Sequence, residues 1–65
     1  MPQRYRHYKG GVYERLFEAT LESDRRVAMT VYRSEDGTIW TRPSDEFAGE
    51  VEHEGRRVPR FTPLD

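Results

Sequence analysis

A chain of 65 residues buries only about 60% of its extended surface on folding, so one small domain of modest stability is expected. Leu, Ile, Val and Phe number twelve, below the ~20% at which disorder becomes an option, but a net charge of -1 removes the repulsion that disorder of that kind needs. The eight aromatics, four Tyr, three Phe and one Trp, supply much of the buryable area that the aliphatics do not.

The absence of cysteine excludes disulfide staples, a Cys-bound zinc and a thiol nucleophile. A domain this small without cross-links is expected in a reducing cytoplasm. No apolar run approaches the ~20 residues of a membrane span, and Met1-Pro2-Gln3-Arg4-Tyr5 shows no apolar core of a secretory signal. A membrane partner is therefore not expected.

In chain order, Tyr5-Arg6-His7-Tyr8-Lys9 reads as an aromatic-basic strand ending at Gly10-Gly11, a pair that marks a sharp turn. Residues 12–21 read as a long bent strand bulged near Leu16, with Tyr13, Phe17, Ala19 and Leu21 on one parity and Val12 and Leu16 on the other. Val12, Leu16 and Ala19 also fit a helix. Strand is preferred because Tyr, Val and Phe favour it, and glycines stand where a helix cap would be wanted. After a turn at Glu22-Ser23-Asp24-Arg25, residues 26–33 give the clearest alternation, with Val27, Met29 and Val31 against Ala28, Thr30 and Tyr32. Ser34-Glu35-Asp36-Gly37 is expected to be a hairpin loop with Gly37 left-handed. Its partner strand runs over residues 38–42, and Pro43 stops it.

Ser44-Asp45-Glu46-Phe47 is expected to make one helical turn capped by Ser44. A last hairpin follows: residues 50–53, a Glu54-Gly55 turn, and residues 56–61, at the sheet edge or broken at Pro59. The whole predicts an all-β domain over residues 1–65: a small SH3-like barrel of about five short antiparallel strands with one helical turn. An open meander is the alternative.

The charge is balanced overall but uneven along the chain: residues 1–33 carry a net +3 and residues 34–65 a net −4. Ten of the eleven basic residues are Arg, whose planar fork suits carboxylate and phosphate.

The string Tyr5-Arg6-His7-Tyr8-Lys9-Gly10-Gly11-Val12-Tyr13 resembles the opening motif of a family of small bacterial proteins, domain-of-unknown-function family 1653. Val31-Tyr32-Arg33, Trp40-Thr41-Arg42-Pro43, Phe47, Val51 and Pro59-Arg60-Phe61 follow in the family's order, so the resemblance covers nearly the whole chain. It implies an SH3-like all-β barrel and no assigned activity. The chain departs from the family's pattern twice. Thr20-Leu21-Glu22-Ser23-Asp24 replaces a His-Ser-Glu-Thr-like stretch, so no role can be carried over to a histidine there. Glu46-Phe47 stands where Met-Phe is usual.

Two groups of residues are candidates for binding. In the first, Arg4, Tyr5, Arg6, His7, Tyr8 and Lys9 interleave cations with aromatics, as single-strand nucleic-acid binders do. The competing reading packs Tyr5 and Tyr8 inward and leaves the cations solvated. In the second, Tyr32, Trp40 and Arg42 could line a groove for an extended peptide or hold a carboxylate. The competing reading makes Trp40 the main core residue, with Tyr32 and Arg42 its partly exposed neighbours. Arg60 could reach an acid in the barrel or a ligand outside it.

His53 lies among alternating acids with no second histidine near it in sequence, so no metal site is expected. Ser23, Ser34 and Ser44 have no histidine placed by a local motif, and no triad is expected. The sequence therefore predicts neither an enzyme nor a cofactor. It predicts a binding module whose candidate ligand residues are Tyr5, Arg6, His7, Lys9, Tyr32, Trp40, Arg42 and Arg60. The expected partner is a protein segment or an anionic ligand. Nucleic acid is the alternative, disfavoured by near-neutral charge, and a small-substrate enzyme a third reading. A monomer or an edge-strand dimer is expected.

Overall fold

Seven strands and one helical turn make up the computed structural model, which describes residues 3–64. The elements are β1 (Gln3–His7), β2 (Val12–Thr20), β3 (Ala28–Ser34), β4 (Ile39–Pro43), α1 (Ser44–Phe47), β5 (Glu50–His53), β6 (Arg56–Pro59) and β7 (Phe61–Leu64). The all-β expectation holds. The strands form a five-stranded antiparallel sheet in the order β4-β3-β2-β1-β7 and a separate two-stranded sheet, β5-β6. Backbone pairing does not close the two sheets into one barrel among the described residues. None of their helices is long and apolar enough to cross a membrane.

The turns form where the sequence places small or polar residues. Gly10 takes φ 114° after β1, and Gly37 takes φ 89° in the β3–β4 loop; side chains rarely adopt either angle. The expected strand over residues 56–61 is two strands. Pro59 still faces Glu50 in the β5–β6 ladder, but the chain breaks at Arg60 and leaves for the large sheet as β7.

Ladder partners point to the same side of a sheet, so the register identifies the faces. Tyr5 lies opposite Tyr13, and His7 opposite Phe61. Arg15 lies opposite Tyr32, which in turn lies opposite Trp40. Thr30 lies opposite Arg42. This is the face that α1 covers. At the bulge, Arg15 pairs with Tyr32 and Phe17 with Val31, leaving Leu16 as the extra residue. The inserted residue reverses the alternation. Phe17 and Ala19, which share a parity with Tyr13 in sequence, therefore lie on the opposite face, and Phe17 is 55% exposed.

The core is aromatic. Tyr32, Phe47 and Phe61 are 5–6% exposed, with Tyr5 and Tyr13 packed against them. Phe47 stacks on Phe61 at 4.2 Å and 15°, while Tyr5 meets Phe47 edge-on at 5.0 Å. Tyr13 meets both Tyr32 and Phe61 edge-on at 5.6 Å. Such arrangements set the positive ring edge on the negative face and add about 0.5–1.5 kcal/mol per pair beyond burial. Trp40 is not the main core residue. It lies on an edge strand, is 48% exposed, and donates from Nε1 to Ser34 Oγ at 2.9 Å.

Ser44 does not cap α1. The N-cap position is Pro43, and no side chain caps it. The Ser44 hydroxyl instead pairs at 2.8 Å with the hydroxyl of Thr30, which is 2% exposed, and reaches Glu18 at 3.3 Å. A buried hydroxyl with no other side-chain partner outweighs an end cap that water can replace.

Candidate functional site

At the C-terminal end of β1, the charges of three sequence-selected cations reach His7. His7 is the last residue of β1 and points to the core face, its ring edge-on to Phe61 at 5.0 Å and tilted against Tyr8 at 4.6 Å. Its Nδ1 accepts the Lys9 backbone N–H at 3.1 Å, so the neutral ring carries its proton on Nε2. Burial, followed by the charges of Arg60, Arg42 and Lys9, holds the His7 pKa below its ordinary value. Three cations from three parts of the chain therefore act on one imidazole.

Each cation is positioned separately. Arg60 stands at the break between β6 and β7, where its N–H donates to Gly49 O at 3.0 Å and its carbonyl accepts Tyr8 N–H at 2.9 Å. Arg42, on β4, donates to the Glu46 carboxylate at 3.3 Å, and the Tyr32 hydroxyl, followed by Glu46, raises the guanidinium's pKa. Lys9 sits in the β1–β2 turn with its Nζ 5.8 Å from the centre of the Tyr8 ring. The Nε–H groups of Arg42 and Arg60 are both buried, and neither finds an acceptor among the described residues.

The remaining candidates lie elsewhere. Tyr5 and Tyr32 belong to the aromatic core. Arg6 points to the opposite face of the sheet from His7, yet both line a shallow groove of about 340 Å³ with Tyr8, His53, Val58 and Pro59. Trp40 shares the face of Tyr32 but hydrogen-bonds into the β3–β4 loop. Arg4 lies beside the ion pair between Arg33 and Glu14 in a separate depression.

Two contacts carry no signal in the sequence. Tyr8 meets His53 edge-on at 5.3 Å across the junction of the two sheets, and Glu46 pairs with Arg42. The i, i+4 spacing of Arg42 and Glu46 would suggest their pairing only once a helical turn is known to bend the chain there. No three His, Asp or Glu side chains among the described residues are grouped to hold a metal ion.

Guanidinium, ammonium and neutral imidazole N–H groups are donors of the kind that pair with oxyanions. No curated protein and no solved structure matches the chain. A family model described as a protein of unknown function (DUF1653) matches residues 3–63, and the chain belongs to that family.

Proposed function

We propose that the protein is a small binding module that seats an anionic group against Arg60 and Arg42, with His7 and Lys9 beside them. The observation that carries this reading is the pair of buried Nε–H donors without acceptors. A buried donor left unsatisfied costs about 1–3 kcal/mol, a penalty that a small shift of either guanidinium towards an oxyanion would relieve. Arg60 adds a second reason. Its backbone is held from both sides, yet its guanidinium forms no ion pair among the described residues. These donors act as a recognition element for a carboxylate or phosphate on a partner chain or small molecule.

The nucleic-acid alternative draws less support. Tyr5 is packed into the core and cannot stack on a base, and Arg4 and Arg6 point to the other face from His7.

The test is a titration of the isotopically labelled protein with sodium phosphate and sodium acetate at constant ionic strength, reading the His7 ring and Arg60 Nε–H signals by NMR. Saturable shifts in both are expected for at least one of the anions. Arg60→Gln should remove them while leaving the thermal midpoint close to wild type. An equal response from wild type and Arg60→Gln would refute the reading.

A further inference from the structure

We propose that the protein forms a two-fold homodimer in which β4 pairs antiparallel with β4 of a second copy, centred on Thr41. β4 is an end strand of the large sheet, and no strand pairs with its outward side among the described residues. Ile39, 53% exposed, and the half-exposed Trp40 lie on it, two of the three large apolar side chains left exposed among those residues. An end strand with such side chains is a template for another chain. The other edges are defended: Pro63 interrupts β7, and the small sheet carries Glu50, Glu52, Arg56, Arg57 and Pro59.

The hairpin register fixes what the outward side of β4 offers. Ser34 donates its N–H to Thr38 O at 3.0 Å, and Thr30 O accepts the Thr41 hydroxyl at 3.1 Å, so both contacts run between β3 and the chain of β4. Bonded and non-bonded pairs alternate along an antiparallel ladder. Trp40 and Arg42 therefore bond to Tyr32 and Thr30, while Ile39, Thr41 and Pro43 direct their backbone groups away from the sheet. Pro43 has no N–H, and in this position the β3–β4 ladder loses nothing by it.

A two-fold axis at Thr41 makes the strand complementary to itself over all five residues. Each Thr41 N–H meets the partner's Thr41 carbonyl, and each Ile39 N–H meets the partner's Pro43 carbonyl. On one face Ile39 packs on the partner's Pro43. On the other, Trp40 stands opposite the partner's Arg42 in a non-bonded pair, where side chains come closest, and a guanidinium over an indole face is attractive. Arg42 is a third exposed and able to reach it. Centring on Trp40 instead would align Arg42 with Thr38 in the loop and leave Pro43 unpaired. So short an interface falls in the small, transient class, under about 1,200 Å² in total, and association is weak and concentration-dependent.

The experiment follows the full chain by sedimentation equilibrium from about 10 µM to about 1 mM, a range suited to weak interfaces. The average mass is expected to rise from 7.7 kDa towards twice that value. Amide exchange at Ile39 and Thr41 should slow severalfold over the same range, with Trp40 and Arg42 protected throughout. Thr41→Pro and Ile39→Lys, each checked for folding by circular dichroism, should stay monomeric, whereas Phe17→Ser on the outer face should still associate. The chain has no cysteine, so single thiols report the register. Thr41→Cys should cross-link in air much faster than Ile39→Cys, whose thiols would lie about four residues, or ~14 Å, apart along the strands. No association up to 1 mM, association that survives both β4 variants, loss on Phe17→Ser, or equal cross-linking of the two thiols would each overturn the proposal.

Discussion

Phe47→Leu is expected to destabilise the fold substantially, and Trp40→Leu only slightly, although Trp is the larger residue. Phe47 is 5% exposed and is the one core side chain supplied by α1. It stacks on Phe61 at 4.2 Å and meets Tyr5 at 5.0 Å and Tyr32 at 5.2 Å. Truncation to Ala would cost about 3–5 kcal/mol, comparable with the ~3–10 kcal/mol expected for the entire domain, so Leu is the measurable change. Leu keeps apolar burial but loses three ring pairs, for a net cost of about 2 kcal/mol once partial repacking is allowed. In a domain of this size that lowers the thermal midpoint by roughly 8–16 °C. Trp40 gives up one solvent-exposed hydrogen bond and half-exposed area, under about 1 kcal/mol. Urea and thermal unfolding followed by far-ultraviolet circular dichroism read both variants without relying on Trp40 as the probe. An equal or larger loss at Trp40 would refute this account of the core.

Ser44→Ala should cost about 1–3 kcal/mol, because it leaves the buried Thr30 hydroxyl without its side-chain partner. The discriminating control is Thr30→Val/Ser44→Ala, which removes both hydroxyls and should recover part of the loss; an N-cap role for Ser44 would give no recovery. The folded-state pKa of His7 lies below its unfolded value of 6.5, so the unfolded chain binds the proton more readily. Stability is therefore full above that value and falls as the pH drops through the folded pKa. Urea midpoints measured across this range should decline for wild type and decline less for His7→Asn. Identical slopes would show that His7 is not desolvated or opposed by the cations in the folded state.

Much of the strand layout is legible in the chain because it depends on local rules. Alternation marks β3, paired glycines mark the end of β1, and Gly37 marks a turn that needs positive φ. Even the irregularity at Leu16 shows in the disturbed alternation of residues 12–21. The consequence of that bulge is less legible. One inserted residue transfers Phe17 to the outer face, and neither composition nor parity says on which side of the irregularity the alternation resets. Trp40 fails for a related reason. Its size predicts burial, but β4 is an edge strand, and strand order is a long-range property.

The sequence by itself determined the class, the turns and the family, because hydrophobic alternation, glycine placement and a contiguous motif are local. Tertiary structure alone decided which residues are core and which charges reach His7. His7, Arg42 and Arg60 are separated by 35 and 18 positions in the chain. The charges of Arg42 and Arg60 reach His7 only because β7 leaves the small sheet at Arg60 and pairs with β1, while β4 sets Arg42 on the same face of the large sheet as His7. Strand pairing across such distances follows from burying the aromatic faces together, a collective balance that no window of sequence contains.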